Sequence, residues 1–385
     1  MMTAGERHVR RPDSTVNKAR LLFYEKKYGE FVQALPPAIT GIVALIKYGN
    51  VIGKMEKVKR ILLMIKRDKE QYVDLPESRV LTKYDAEGRL IVQIFAGKSI
   101  VLSCSEEYSE GYFTLAILVF LALPLPEIIR DARNLANITE PRLLHPMEYN
   151  VDHSKYYYQI TVHAYAGSAL TVFVIIALDS FFIVAIQHCC LLFAITGFQL
   201  KTAHVLNQST LWHDDQWKVV DVEKFTTREQ SLVYRKVERA VAGHMSALEY
   251  VNLVQSTFSS ALLIQVFLTL VCMTVTAVQI LRNINNYDIV LGMMFWLVGQ
   301  VIHLFFLCFN GQRLSDYSQN VYYDAMECVW YTFCAKSKVV YQFFVMNTIA
   351  PHRLVAMKLM VLDMQTFQAV MRLSASYLTM LLSAV

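Results

Sequence analysis

Long apolar blocks alternate with basic, polar stretches along this chain, and the lengths of the blocks are the first thing to explain. Residues 31–53, FVQALPPAITGIVALIKYGNVIG, hold a single charge, Lys47, and run straight into KMEKVKRILLMIKRDK. A hydrocarbon core about 30 Å thick takes roughly 20 helical residues, so this block predicts a membrane span with a basic exit. A polar amphipathic stretch reaches Arg89, and an apolar region opens at Leu90. The insert KSIVLSCSEEYSEG interrupts it before the unbroken run YFTLAILVFLALPLP at 112–126, in which a second span ends.

The segment EIIRDARNLANITEPRLLHPMEYNVDHSK carries balanced charge, two prolines and the acceptor sequon Asn137-Ile138-Thr139. It reads as an external loop with a glycosylation site at Asn137. From Tyr156 to Leu200 the chain is aromatic and then almost wholly apolar, longer than a bilayer needs, so a third helix is expected to project into the cytosol. A polar stretch to Glu249 follows. Two further blocks, at 256–281 and 287–309, are joined only by RNINN, and a link this short forces an antiparallel hairpin. A polar region to Lys338, the short piece VVYQFFVMNTIA and a break at Pro351 precede a final helix predicted from Leu354 to Val385.

The fold class expected is all-α, a polytopic membrane helical bundle with six visible spans. Its divisions are a basic tail at 1–30, a bundle with cytosolic extensions at 31–309, a cytosolic anchor region at 310–353 and a terminal helix at 354–385. Composition agrees. Charged residues make up 18% of the chain and hydrophobic ones 55%, whereas a soluble domain carries about 25% charged residues.

Net charge is +5, but its distribution matters more than the sum, because basic loops stay in the cytosol. Lys54, Lys57, Lys59, Arg60, Lys66, Arg67 and Lys69 follow the first span. A second group comprises Lys218, Lys224, Arg228, Arg235, Lys236 and Arg239, and a third Arg313, Lys336, Lys338 and Arg353. All three belong in the cytosol, which puts the Asn137 loop and RNINN outside. The same rule wants the tail inside, since it carries Arg7, Arg10, Arg11, Lys18, Arg20, Lys26 and Lys27. One additional helix before residue 31 would remove the conflict, so a seventh span is expected upstream. The first twenty residues have no apolar core, and no cleavable signal peptide is expected. Nucleic acid is not implied by basic residues placed in this way.

Candidate chemistry is sparse. Seven cysteines, five of them near or on the cytosolic side, do not suggest a disulfide framework. His188, Cys189 and Cys190 are adjacent on one helix and point about 100° apart, so they cannot converge on a tetrahedral ion. His213-Asp214-Asp215 reads as a solvated turn. With no phosphate loop and no activated nucleophile, neither an enzyme nor a cofactor is expected. Asp179 is different, because a carboxylate in mid-span must face protein. It either pairs with Lys47, the nearest cation by depth, or stays neutral and hydrogen-bonded. The terminal helix mixes Gln365, Gln368, Arg372, Ser374, Ser376, Thr379 and Ser383 with apolar residues, polarity that a lipid-facing helix does not need.

Five strings in order, LPPAITGIVALIKY at 35–48, YYYQITVHAY at 156–165, ALDSFFIVAIQHCCLLFAITGFQL at 177–200, GQRLSDYS at 311–318 and SASYLTMLL at 374–382, resemble the insect odorant receptor family over residues 31–385. That family consists of seven-span channels with a cytosolic N-terminus, and the first span here corresponds to its second helix. The polar insert near 97–111 departs from the family pattern. The resemblance implies a ligand-selective subunit of an odorant-gated non-selective cation channel, a heterotetramer with an odorant co-receptor subunit in the plasma membrane of sensory neuron dendrites. Its ligand would be a small volatile odorant and its surroundings membrane lipid.

An odorant pocket in the outer half of the bundle would draw on Ile42 and Leu45, Phe113 and Ile117, and Tyr158, His163 and Tyr165. The pore would be narrowed near the outer end of the last helix, at positions that map to Met380 and Ser383. A gustatory receptor of the same superfamily is disfavoured because Tyr377 is followed by LTMLLSAV rather than by that branch's TYxxxxxQF pattern. A G-protein-coupled receptor is disfavoured because the external loop has no cysteine and no NPxxY-like feature closes the chain.

Overall fold

The computed structural model describes residues 14–96, 151, 155–205 and 225–383. Eight helices carry them: α1 (Ser14–Gly53), α2 (Met55–Tyr72), α3 (Ser78–Ala96), α4 (Tyr157–Lys201), α5 (Thr227–Arg282), α6 (Tyr287–Met326), α7 (Ala335–Thr348) and α8 (Met364–Ser383). Four of them contain stretches long and apolar enough to cross a membrane, namely Ala34–Gly53, Tyr157–Lys201, Thr227–Arg282 and Val290–Met326. The protein is a multi-pass helical membrane protein. The apolar run at 112–126 and Asn137 lie outside the described residues.

α1 is continuous from Ser14, so the described part of the basic tail is a helical extension and not a separate segment. Pro36 and Pro37 sit inside the helix. Pro36 has no N–H to give to the carbonyl of Val32, and in a bilayer that oxygen must be satisfied by protein. Gln279 of α5 supplies the bond through Nε2. Thr40 Oγ1 also donates to Pro36 O at 2.9 Å, a side-chain bond to the carbonyl one turn back.

α4 has 45 residues, about 67 Å at 1.5 Å per residue, so it outruns the membrane as its composition predicts. Its second half, from Phe182 to Leu200, is almost wholly buried, and it forms the axis of that part of the bundle. α5 runs 56 residues without a break. The sequence suggested a polar stretch to Glu249 and a separate span. The two are one helix because Val233, Val237, Ala240, Ala247, Val251 and Val254 continue one buried stripe into the span. A capping box, Thr226 with Glu229, fixes the start of this helix. Asn283–Asn286 then turns the chain into α6, giving the expected antiparallel hairpin.

The terminal helix does not begin at Leu354. Val355–Ala356 and Met360–Val361 form a small antiparallel hairpin, Val355 opposite Val361 and Ala356 opposite Met360. Its turn places Met357 and Lys358 at positive φ, 50° and 60°. α8 starts only after Asp363, whose Oδ1 accepts from Thr366 N at 2.8 Å and caps the helix. The hairpin lies against Gly311 of α6, where a Cβ would overlap the carbonyl of Leu362.

Candidate functional site

α1, α4, α5 and α6 enclose an apolar cavity that is open on one side. Ile39, Thr40 and Val43 come from α1, Val172 and Ile175 from α4, Leu268, Thr269 and Cys272 from α5, and Phe295, Trp296, Gly299, Gln300 and His303 from α6. The lining is apolar and aromatic with a few polar atoms, the composition of a small-molecule site. The arrangement is suited to holding an apolar molecule.

The inner end of the cavity is charged. His303 lines it and sets Nε2 at 2.7 Å from Asp179 Oδ2, while Lys47 pairs with Asp179 Oδ1. Of the two readings open for Asp179, the ion pair with Lys47 is the one observed. Nε2 of His303 also lies 3.0 Å from the amide of Gln265. A smaller pocket beneath this network is lined by Lys47, Asp179, Gln265, Phe182 and Phe258 among others. Further inward, Asn50 Nδ2 donates to Thr257 O at 2.9 Å and Lys54 Nζ to the same oxygen at 2.8 Å. These bonds staple α1 to α5.

The residues expected at a pocket from the sequence are placed unevenly. Ile42 and Leu45 are on the outward face of α1, 48% and 70% exposed, one helix face away from Ile39 and Val43. Tyr158 and His163 are exposed on the outer turns of α4, and Tyr165 is half-buried there, outward of Val172. Phe113 and Ile117 lie outside the described residues. The α5 and α6 contributions were missed. A signal for them exists, because Gln265, Thr269, Cys272 and Thr276 on one helix, and Gln300 and His303 on the other, repeat at helical spacing inside apolar spans and must face protein.

At the end of the chain, α8 packs Phe367, Val370 and Met371 against the bundle. Tyr377 and Met380, further along the helix, are exposed at 47% and 65%. Ser383 is exposed, with its hydroxyl donating to Met380 O at 2.8 Å. The short helix α7 also presents Val339, Phe343, Met346 and Ile349. His188 of the His-Cys-Cys string is engaged with Asp68 of α2, Nε2 to Oδ2 at 3.2 Å.

The profile of the seven-transmembrane odorant receptor family matches residues 27–375, nearly the whole sequence. The chain belongs to the odorant receptor family. No curated protein matches the sequence. Among solved structures this odorant receptor is similar to the insect olfactory receptor OR5 from Machilis hrabei, with a TM-score of 0.63 and 12% identity over 93% of this chain and 82% of that one. The complex of that receptor with eugenol gives a TM-score of 0.65 and 11% identity, covering 98% of this chain and 93% of the other. At such identity the likeness speaks for the fold.

Proposed function

We propose that this odorant receptor is the ligand-selective subunit of an odorant-gated, non-selective cation channel, and that it opens together with a co-receptor subunit in a heterotetramer in the plasma membrane of sensory neuron dendrites. The observation that carries this reading is the apolar cavity walled by Phe295 and Trp296 and floored by His303. A similarly folded insect olfactory receptor has been seen in complex with eugenol, a small aromatic odorant, and a cavity lined in this way suits molecules of that class. Volatile ligands offer few polar atoms, so shape and apolar contact dominate their recognition.

In this reading Tyr158, His163 and Tyr165 border the approach from outside, and Phe113 and Ile117 contribute on the sequence pattern alone. The exposed face of α8, with Met380 and Ser383, supplies one wall of a pore that further subunits complete. Asn137 is glycosylated on the external side. The test is odorant-evoked current from cells expressing this chain with and without the co-receptor, together with Val43→Trp, which fills the cavity. Current that needs both subunits and is lost in Val43→Trp at normal surface level supports the reading. Current from the chain alone removes the co-receptor from it, and an intact response in Val43→Trp removes the cavity.

A further inference from the structure

Several of the cavity's polar atoms are engaged with protein. Thr40 bonds back to Pro36 O, and His303 Nε2 is bound to Asp179. Gln300 is engaged through only one of its two amide atoms. Its Nε2 donates to Cys272 Sγ at 3.0 Å, and Cys272 in turn gives its S–H toward Pro36 O at 3.8 Å. The sulfur face turned to Gln300 is therefore the accepting one, and this fixes which way the amide points. Gln300 Oε1 is left out of solvent contact with no hydrogen-bond partner among the described residues. A buried acceptor in that state carries the full cost of desolvation until a donor arrives.

We propose that the ligand supplies that donor, so that this receptor selects small aromatic or apolar molecules bearing a hydroxyl, phenols and alcohols, over ethers and hydrocarbons of the same shape, with Gln300 Oε1 as the acceptor. The inference rests on the reading of the cavity as the odorant site. Phe295 and Trp296, on the same helix as Gln300, give the ring of such a ligand an aromatic wall. Gln300 lies one turn from His303 on α6, so the hydroxyl would sit toward the charged inner end and the hydrocarbon body toward the opening. A donor there meets an acceptor. An ether oxygen or a methyl group leaves Oε1 unpaired, and a site built around a hydrogen bond discriminates against analogues that lack it.

Three probes of closely similar shape separate the possibilities: para-cresol, para-xylene and para-methylanisole, applied to cells expressing the full chain with the co-receptor. In the wild type, para-cresol should act at about tenfold lower concentration than the other two, the worth of roughly one net hydrogen bond. Gln300→Met, similar in length but without the acceptor, should close that gap while keeping the para-xylene response. Equal potency of the three probes in the wild type, a preference for the ether, or silence toward para-cresol overturns the proposal, and none of these outcomes depends on how well the variant expresses. A cresol preference that persists in Gln300→Met at normal surface level also overturns it. If Val43→Trp abolishes all responses while that preference persists in Gln300→Met, the hydrogen bond is wrong and the cavity stands. If Val43→Trp leaves the responses intact, the cavity itself is wrong.

Discussion

Lys47 and Asp179 form an ion pair inside the bundle, their side chains only 6% and 9% exposed. Because His303 holds the other carboxylate oxygen, one aspartate ties α1, α4 and α6 together directly beneath the cavity. Removing the carboxylate alone leaves a buried ammonium with no counter-ion, a change that costs about 3–5 kcal/mol. Asp179→Leu should therefore lower the unfolding temperature of the detergent-solubilised protein and reduce surface expression. The double variant Lys47→Met with Asp179→Leu should recover most of the loss, because well-packed apolar residues replace a buried pair at little cost. A single variant as stable as the wild type would mean that the two side chains do not meet.

The hairpin before α8 depends on a missing side chain. A methyl group at Gly311 would strike the backbone of Leu362, which cannot swing away as a flexible side chain can. Gly311→Ala should shift the hairpin and destabilise the fold by about 1–3 kcal/mol, the usual range for overpacking. Gly41→Ala is the control, since nothing lies within 4 Å of the added carbon. There the higher helix propensity of alanine should leave stability unchanged or raised. Thermal unfolding of the two variants side by side decides the matter.

Outside the membrane, Asp68 of α2 gives a pH prediction. Burial acts to raise its pKa, but the hydrogen bond from His188 and those from Arg67 outweigh it and hold the carboxyl below the usual range. A depressed carboxylate stabilises the fold fully above its unfolded pKa of about 3.9, and that contribution is lost as pH falls through the lower folded value. Stability should thus be insensitive to this group near neutrality and fall below about pH 4. Asp68→Asn should flatten that acid limb, which a melting series across the acid range will show. An unchanged limb would assign acid sensitivity to other groups.

Some of this was legible in the sequence and some was not, for reasons that particular residues show. A charge inside a span must find a partner, so Lys47 and Asp179 announced each other by depth. The five residues RNINN left the chain no option but a hairpin. The face of α1 that lines the cavity was not legible, because Ile39, Ile42, Val43 and Leu45 are all apolar and lipid is as apolar as a protein interior. The beginning of α8 was missed because LVAMKLMVL reads as helix or strand alike, and the deciding signal is the cap at Asp363 rather than the break at Pro351.

The face of α8 that carries Met380 is exposed among the described residues. It bears Gln365, Gln368, Arg372, Ser376 and Thr379 alongside its apolar residues. Polar groups on an exposed face of a membrane helix are suited to water, so this face should line a pore shared between subunits. A bulky thioether near the outer end can keep a closed constriction dry, and a hydroxyl in its place would wet it. Met380→Ser, co-expressed with the co-receptor, should therefore leak current without odorant. Ser383→Lys places a new cation one turn beyond and should depress cation permeability, read as a shifted reversal potential in asymmetric salt. Surface labelling must show both variants at wild-type levels for the currents to be comparable. Silent closed channels in Met380→Ser together with unaltered permeability in Ser383→Lys would take α8 out of the pore, and the exposed face would then have to be explained by contacts between subunits instead.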